Sequence, residues 1–219
     1  MKEVLKCVIF DMDGTLIDSE KIYVKGFKHA FDKNGIMIDP GFEKTFIGMS
    51  GEEELIKLDS VTGSRAMTIK VFKDVVDYAN EQFVGQRIDL KVGAKELLTY
   101  CQNCGLQIGL ATSSYQEGAT SILEKLGILS YFDFLVFGDE VEIAKPDPTI
   151  YRLAIKKSGF EPGDCLAVED SFPGVISAKK ADLVVAQIFD DVGLISEADY
   201  NIGALGELVS IIDRLKDGK

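Results

Sequence analysis

"VIFDMDGTLIDSE", residues 8–20, ends an apolar run on two aspartates one residue apart, Asp11 and Asp13, followed at once by Gly14 and Thr15. The run begins as "LKCVIF" (5–10), short, apolar and rich in β-formers, which predicts a buried strand. Two carboxylates that close repel each other. Their place at the end of a buried strand asks for a cation, or for a reaction that needs both.

Similar runs recur at "LQIGLA" (106–111), "FDFLVF" (132–137), "CLAVE" (165–169) and "LVVAQI" (183–188), with a weaker candidate near 199–202. Helical patterns lie between them at 93–104, 116–127, 148–158 and 173–181, and a last one follows at 205–215. Strands alternating with helices of that length predict a parallel sheet covered on both faces. Residues 18–88 break the alternation with helical patterns at 19–34, 51–59 and 66–85, punctuated by Gly35, Pro40, Gly48 and Gly63. The expected organisation is an α/β core from 1–17 and 89–219, with a helical cap, 18–88, inserted after the first strand. Crossings near 15–18 and 86–92 would join the two, with Gly93 suited to a hinge. No internal repeat or low-complexity segment interrupts this pattern.

The formal net charge of −12 argues against nucleic acid or an anionic membrane as partner. An anionic substrate would need a local positive site, either a metal or well-placed lysines. Cys7, Cys101, Cys104 and Cys165 contain one close pair, and His29 is the sole histidine, so a structural zinc site is not expected. No apolar run approaches the roughly 20 residues of a membrane span. No leader is read before the first strand, and the expectation is a cytoplasmic monomer with reduced thiols.

Ligands of an open parallel sheet bind at the carboxyl ends of its strands. There the first strand offers Asp11 to Thr15, and the run at 106–111 offers Thr112, Ser113 and Ser114. Lys145-Pro146 follows the run at 132–137, and the run at 165–168 ends in Glu169-Asp170-Ser171. Hard oxygens from Asp11, Asp170 and Glu169 suit Mg²⁺. Lys145 supplies a point charge for a phosphate, Thr112 a hydroxyl donor, and Gly14 a sharp turn that exposes backbone amides. One carboxylate can attack phosphorus while a second, two residues on, carries the proton.

Each piece has a plainer reading. Asp-x-Asp-Gly can be a turn, Thr112 to Ser114 a helix cap, Glu169 to Ser171 another cap. Lys145-Pro146-Asp147-Pro148 can be a helix entry with a solvated lysine. Glu52, Glu53 and Glu54, like Lys179 and Lys180, read as solvated helix faces. What argues for chemistry is the coincidence of four such pieces at strand ends.

In this order, Asp11-x-Asp13-Gly14-Thr15, Thr112, Lys145-Pro146 and Glu169-Asp170 resemble the four motifs of the haloacid dehalogenase superfamily of phosphohydrolases. The likeness covers essentially the whole chain, and the insert resembles that superfamily's helical first-type cap, as in β-phosphoglucomutase-like members. It implies a Rossmann-like core, with Asp11 as nucleophile and Asp13 as general acid/base. It also implies Mg²⁺ on Asp11, the Asp13 main-chain carbonyl, Glu169 and Asp170, and a phosphoryl group held by Thr112, the Ser113 amide and Lys145. Ser19, Tyr23, Ser50 and Gly51 of the cap, with Ser114 at the entrance, are the residues expected to meet substrate.

The mutase pattern is not complete. Tyr23 stands where a cap histidine would fall, Gly51 where an arginine holds a distal phosphate, and Tyr115 where a lysine would be. A mutase needs a second cationic site, and charge-assisted hydrogen bonds there contribute about 1.5–3 kcal/mol each. Lys21 or Lys25 could replace the charge. The reading favours an Mg²⁺-dependent phosphatase of a small phosphorylated metabolite. A phosphosugar mutase is the alternative, and a non-catalytic binding protein on the same fold is a minor one.

Overall fold

A computed structural model describes residues 4–46, 49, 51–84, 88–189 and 193–218. Ser50, one of the residues expected to meet substrate, lies outside them. The chain divides into two compact units, Met1–Ile17 with Leu90–Lys219, and Asp18–Asp89.

The first unit is built on six parallel strands: β1 (Cys7–Phe10), β2 (Gln107–Ala111), β3 (Phe134–Val136), β4 (Cys165–Glu169), β5 (Val184–Ile188) and β6 (Tyr200–Ile202). Their order across the sheet is β3-β2-β1-β4-β5-β6. All four residues of β1 are buried, as a central parallel strand with both faces covered requires. Cys7 and Ile9 pack with Ile150, Tyr151, Val175 and Ala178 in one core cluster. Val8 and Phe10 point the other way and are equally buried. All six expected strands form, including the weak candidate near 199–202.

Among the described residues, the α-helices of this unit are Ala94–Asn103, Gln116–Lys125, Thr149–Ser158, Phe172–Lys180 and Leu208–Lys216. They are α4 to α8 in chain order, since three helices of the other unit precede them. The last departs from the expected start at 205: Leu205–Glu207 is a short 3₁₀ turn that leads into α8.

Register decides where the site falls. Phe10 is paired with Leu110 on one side and Val168 on the other. The next residue of each strand is then Asp11, Ala111 or Glu169, at one level of the sheet's carboxyl edge. The Asp11 amide still donates to Val168 O at 2.9 Å, so the nucleophile candidate is held by the last rung of the ladder.

The second unit holds α1 (Glu20–Lys33), α2 (Gly51–Thr62) and α3 (Arg65–Val84). Phe27, Ala30 and Phe31, at i, i+3 and i+4 on α1, meet Val71 and Val75 of α3 in its core. A 3₁₀ turn at Phe42–Phe46, in the stretch read only as Gly/Pro-punctuated, adds Phe46 to that core, its ring 4.1 Å from Phe27's. Glu54 corrects another reading. It is half-buried on α2, not solvated. Its carboxyl is pushed up to about 7 by burial. Among the described residues, no helix is long and apolar enough to cross a membrane.

Candidate functional site

The loop after β1 turns back at once. The amides of Leu16 and Ile17 donate to Met12 O, and the Gly14 amide donates to Ile17 O at 3.0 Å. Gly14 has φ +77°, and a Cβ there would stand 1.9 Å from Asp170 Oδ2. Both the backbone sign and the space therefore require glycine. The same close approach brings Thr15 Oγ1 within 3.3 Å of Asp170 Oδ1. Asp13 Oδ2 accepts a hydrogen bond from Ser114 Oγ at 2.7 Å.

Lys145 is buried, not solvated, so the plain reading of that loop fails at this residue. Its ammonium donates to Asp11 Oδ1 at 2.7 Å, Glu169 Oε1 at 2.6 Å and Ala111 O at 3.0 Å, using the three donors an ammonium has. The plain reading does hold for two neighbours. Asp147 Oδ1 accepts the Thr149 amide at 2.9 Å at the start of α6, and Ser171 Oγ accepts the Gly174 amide at 3.2 Å as the N-cap of α7. Thr112 is buried, and its hydroxyl accepts the Ser114 amide at 3.1 Å. Ser113 lies against Gly138, where a Cβ would come 2.2 Å from Ser113 O.

One oxygen from each of Asp11, Glu169 and Asp170 can lie within 4.8 Å of the others. Three hard carboxylate donors fit Mg²⁺. Both oxygens of Glu169 are engaged. Its Oε1 takes Lys145 and Tyr151, and its Oε2 takes the Asp170 amide at 3.2 Å and Ser171 Oγ at 3.3 Å. Gly174 leaves room for it, since a Cβ there would stand 2.0 Å from Glu169 Cδ.

Electrostatics explain why the cluster needs positive charge. Burial pushes the Asp11 carboxyl well above its ordinary range; Lys145 pulls it back, and Glu169 and Asp13 add to the push. Burial alone would lower Lys145, but Asp11 and Glu169 beside it outweigh that and raise it. The lysine is thus a fixed cation in an acidic protein, as an anionic substrate would require.

The structure brings together Asp11, Thr112, Lys145, Glu169 and Asp170 at one edge, with Asp13 and Ser114 joined beside them. Ser19, Tyr23 and Gly51 belong to the helical unit: Ser19 is buried just ahead of α1, Tyr23 is partly exposed on α1, and Gly51 opens α2. Tyr151 was not legible as a site residue. It sits in an apolar helical pattern where an aromatic reads as core, and only the fold puts its hydroxyl on Glu169.

Comparison with known proteins agrees with this geometry. Residues 8–188 match the model of the family described as haloacid dehalogenase-like hydrolase. A phosphorylated carbohydrates phosphatase of Thermotoga maritima is 30% identical over 179 residues, covering 82% of each chain. A β-phosphoglucomutase of Bacillus subtilis is 29% identical over 185 residues, covering 82% of this chain and 81% of its own. The crystal structure of a hydrolase from Pseudomonas syringae superposes with a TM-score of 0.75 at 26% identity, over 95% of this chain and 98% of that one.

Proposed function

The chain belongs to the haloacid dehalogenase-like hydrolase family, and we propose that it hydrolyses monophosphate esters of small metabolites, phosphorylated sugars first among them, through an aspartyl-phosphate. The observation that carries this reading is the buried Lys145 ammonium, 2.7 Å from Asp11 Oδ1 and 2.6 Å from Glu169 Oε1 at the sheet's carboxyl edge. A carboxylate held beside a fixed cation is placed to meet a phosphoryl group. The relatives named as phosphatases support the reaction class.

In this reading an Asp11 oxygen attacks phosphorus and the ester P–O bond breaks. Asp13 gives its proton to the leaving oxygen. Asp13, now a carboxylate, then takes a proton from water, whose oxygen displaces Asp11 from phosphorus and releases inorganic phosphate. Lys145, the Thr112 hydroxyl and the Ser113 amide hold the phosphoryl oxygens. Asp11, Asp170 and the Asp13 carbonyl, with Glu169 behind them, would hold Mg²⁺. When bound, that ion neutralises phosphoryl charge and lets an anionic nucleophile approach an anionic substrate. The helical unit, 18–89, is assigned to substrate selection.

The β-phosphoglucomutase relative favours a second reading, transfer of the phosphoryl group to a second sugar hydroxyl. Tyr23, Gly51 and Tyr115 stand against it, because none of them offers a cation to a distal phosphate. The test is a panel of sugar phosphates assayed with Mg²⁺ for both phosphate release and isomerisation, with glucose 1,6-bisphosphate present as primer. Release is expected to dominate. Isomerisation outrunning release would reverse the assignment, and neither reaction would leave a binding protein.

A further inference from the structure

We propose that Tyr151 is a positioning residue of the phosphate site, holding Glu169 and, through it, Lys145 in the arrangement that receives the phosphoryl group. This rests on the phosphohydrolase reading above. Tyr151 is the largest fully buried side chain among the described residues, inside α6 and six positions after Lys145. Its hydroxyl donates to Glu169 Oε1 at 2.7 Å, the same oxygen that accepts Lys145 at 2.6 Å. Its ring lies under the same ammonium, 5.1 Å from Nζ to the centroid. One side chain thus touches both members of the buried ion pair, by its polar tip and its face.

A core aromatic would be satisfied by Phe at this place, with no polar atom to bury. A buried hydroxyl is retained without penalty only if it has a partner, and here the partner is a carboxylate that already holds the lysine. A phenol carries its proton at neutral pH, so against a carboxylate it acts as the donor. Oε2 is engaged by the Asp170 amide and Ser171 Oγ at longer distances, 3.2 and 3.3 Å. Removing the phenol therefore leaves Oε1 held by Lys145 alone, with only the two longer bonds on Oε2. The carboxylate and the ammonium can then shift together as one pair. Tyr151 touches no reacting atom in this scheme.

The test is binding of inorganic phosphate to the Mg²⁺-loaded chain, measured by titration calorimetry, with Tyr151→Phe and Lys145→Ala singly and together. Tyr151→Phe keeps the ring and is expected to weaken phosphate binding about tenfold, the weight of one hydrogen bond to a charged group. In the Lys145→Ala background the same change is expected to have no further effect, because its route to phosphate is gone. Equal phosphate affinity in Tyr151→Phe and the parent chain, or an equal loss in both backgrounds, would make Tyr151 a core residue only. So would a Tyr151→Phe chain that does not fold. A parent chain that binds no phosphate overturns the phosphohydrolase reading and this inference together; a parent that binds while Tyr151→Phe is unchanged overturns this inference alone.

Discussion

Ser114 donates its hydroxyl to Asp13 Oδ2 at 2.7 Å and so ties the loop after β2 to the loop after β1. The bond fixes one oxygen of the carboxyl assigned to proton transfer. The need for that proton scales with the basicity of the leaving oxygen. Ser114→Ala is expected to lower kcat/KM at least about tenfold for an alkyl phosphate, and less than about threefold for p-nitrophenyl phosphate, whose leaving group needs no acid. Equal losses on both substrates would give the bond to loop shape alone.

Lys145 faces two carboxylates, and all three side chains are buried. Truncating one partner of such a cluster leaves the others charged and unpaired, at a cost of about 3–5 kcal/mol. Lys145→Met should lose stability on that order in metal-free buffer. Mg²⁺ should restore part of it, because a cation held by Asp11 and Asp170 supplies the missing charge. Urea unfolding with and without Mg²⁺ measures both. A deficit that Mg²⁺ leaves untouched would separate the lysine from the metal position.

Asp11 carries the opposite sign of effect. Burial raises its carboxyl above the ordinary 3.8, and Glu169 and Asp13 add to this against the pull of Lys145. A raised carboxyl contributes stability that is complete below its unfolded value and is lost as the pH climbs through the folded one. Asp11→Asn fixes the uncharged form. At neutral pH without metal it should be at least as stable as the parent, the gap closing toward acid, while turnover disappears. An active, well-folded Asp11→Asn chain would end the assignment of Asp11 as nucleophile.

Much of this was legible because β1 and its neighbours are short unbroken apolar runs, and parallel pairing puts whatever follows each run at one edge. Asp11, Thr112, Lys145, Glu169 and Asp170 can therefore be assembled from strand ends alone. Partners set by close approach were not legible. Tyr151 is spaced like a core residue, and Ser113 against Gly138 is a contact between loops 25 residues apart in the chain. The 3₁₀ turn at 42–46 is hidden in the sequence for a different reason. It is too short for helical periodicity to register, and its Phe42 and Phe46 find their partners only in the folded helical unit.

Glu54 makes the helical unit sensitive to pH in a range where most carboxylates are silent. Burial raises it from 4.5 to about 7. The folded unit thus prefers the protonated form, and the sign follows. The contribution is complete below about pH 4.5 and is lost as the pH rises to about 7, on the order of 3 kcal/mol in all. Asp74 works the other way. Lys33 and Asn34 hold its carboxyl below the ordinary range, so its contribution stands at neutral pH and goes only on acidification below about pH 4. The two windows do not overlap. Growing negative charge also weakens the whole chain as the pH rises, so the parent's slope alone does not isolate Glu54. Comparison with Glu54→Gln does, because the amide fills the same space and cannot ionise. The midpoint of thermal unfolding, followed by circular dichroism at pH 5 and pH 7.5, should fall further in the parent than in Glu54→Gln. Parallel slopes in the two chains would mean that the Glu54 carboxylate reaches water after all.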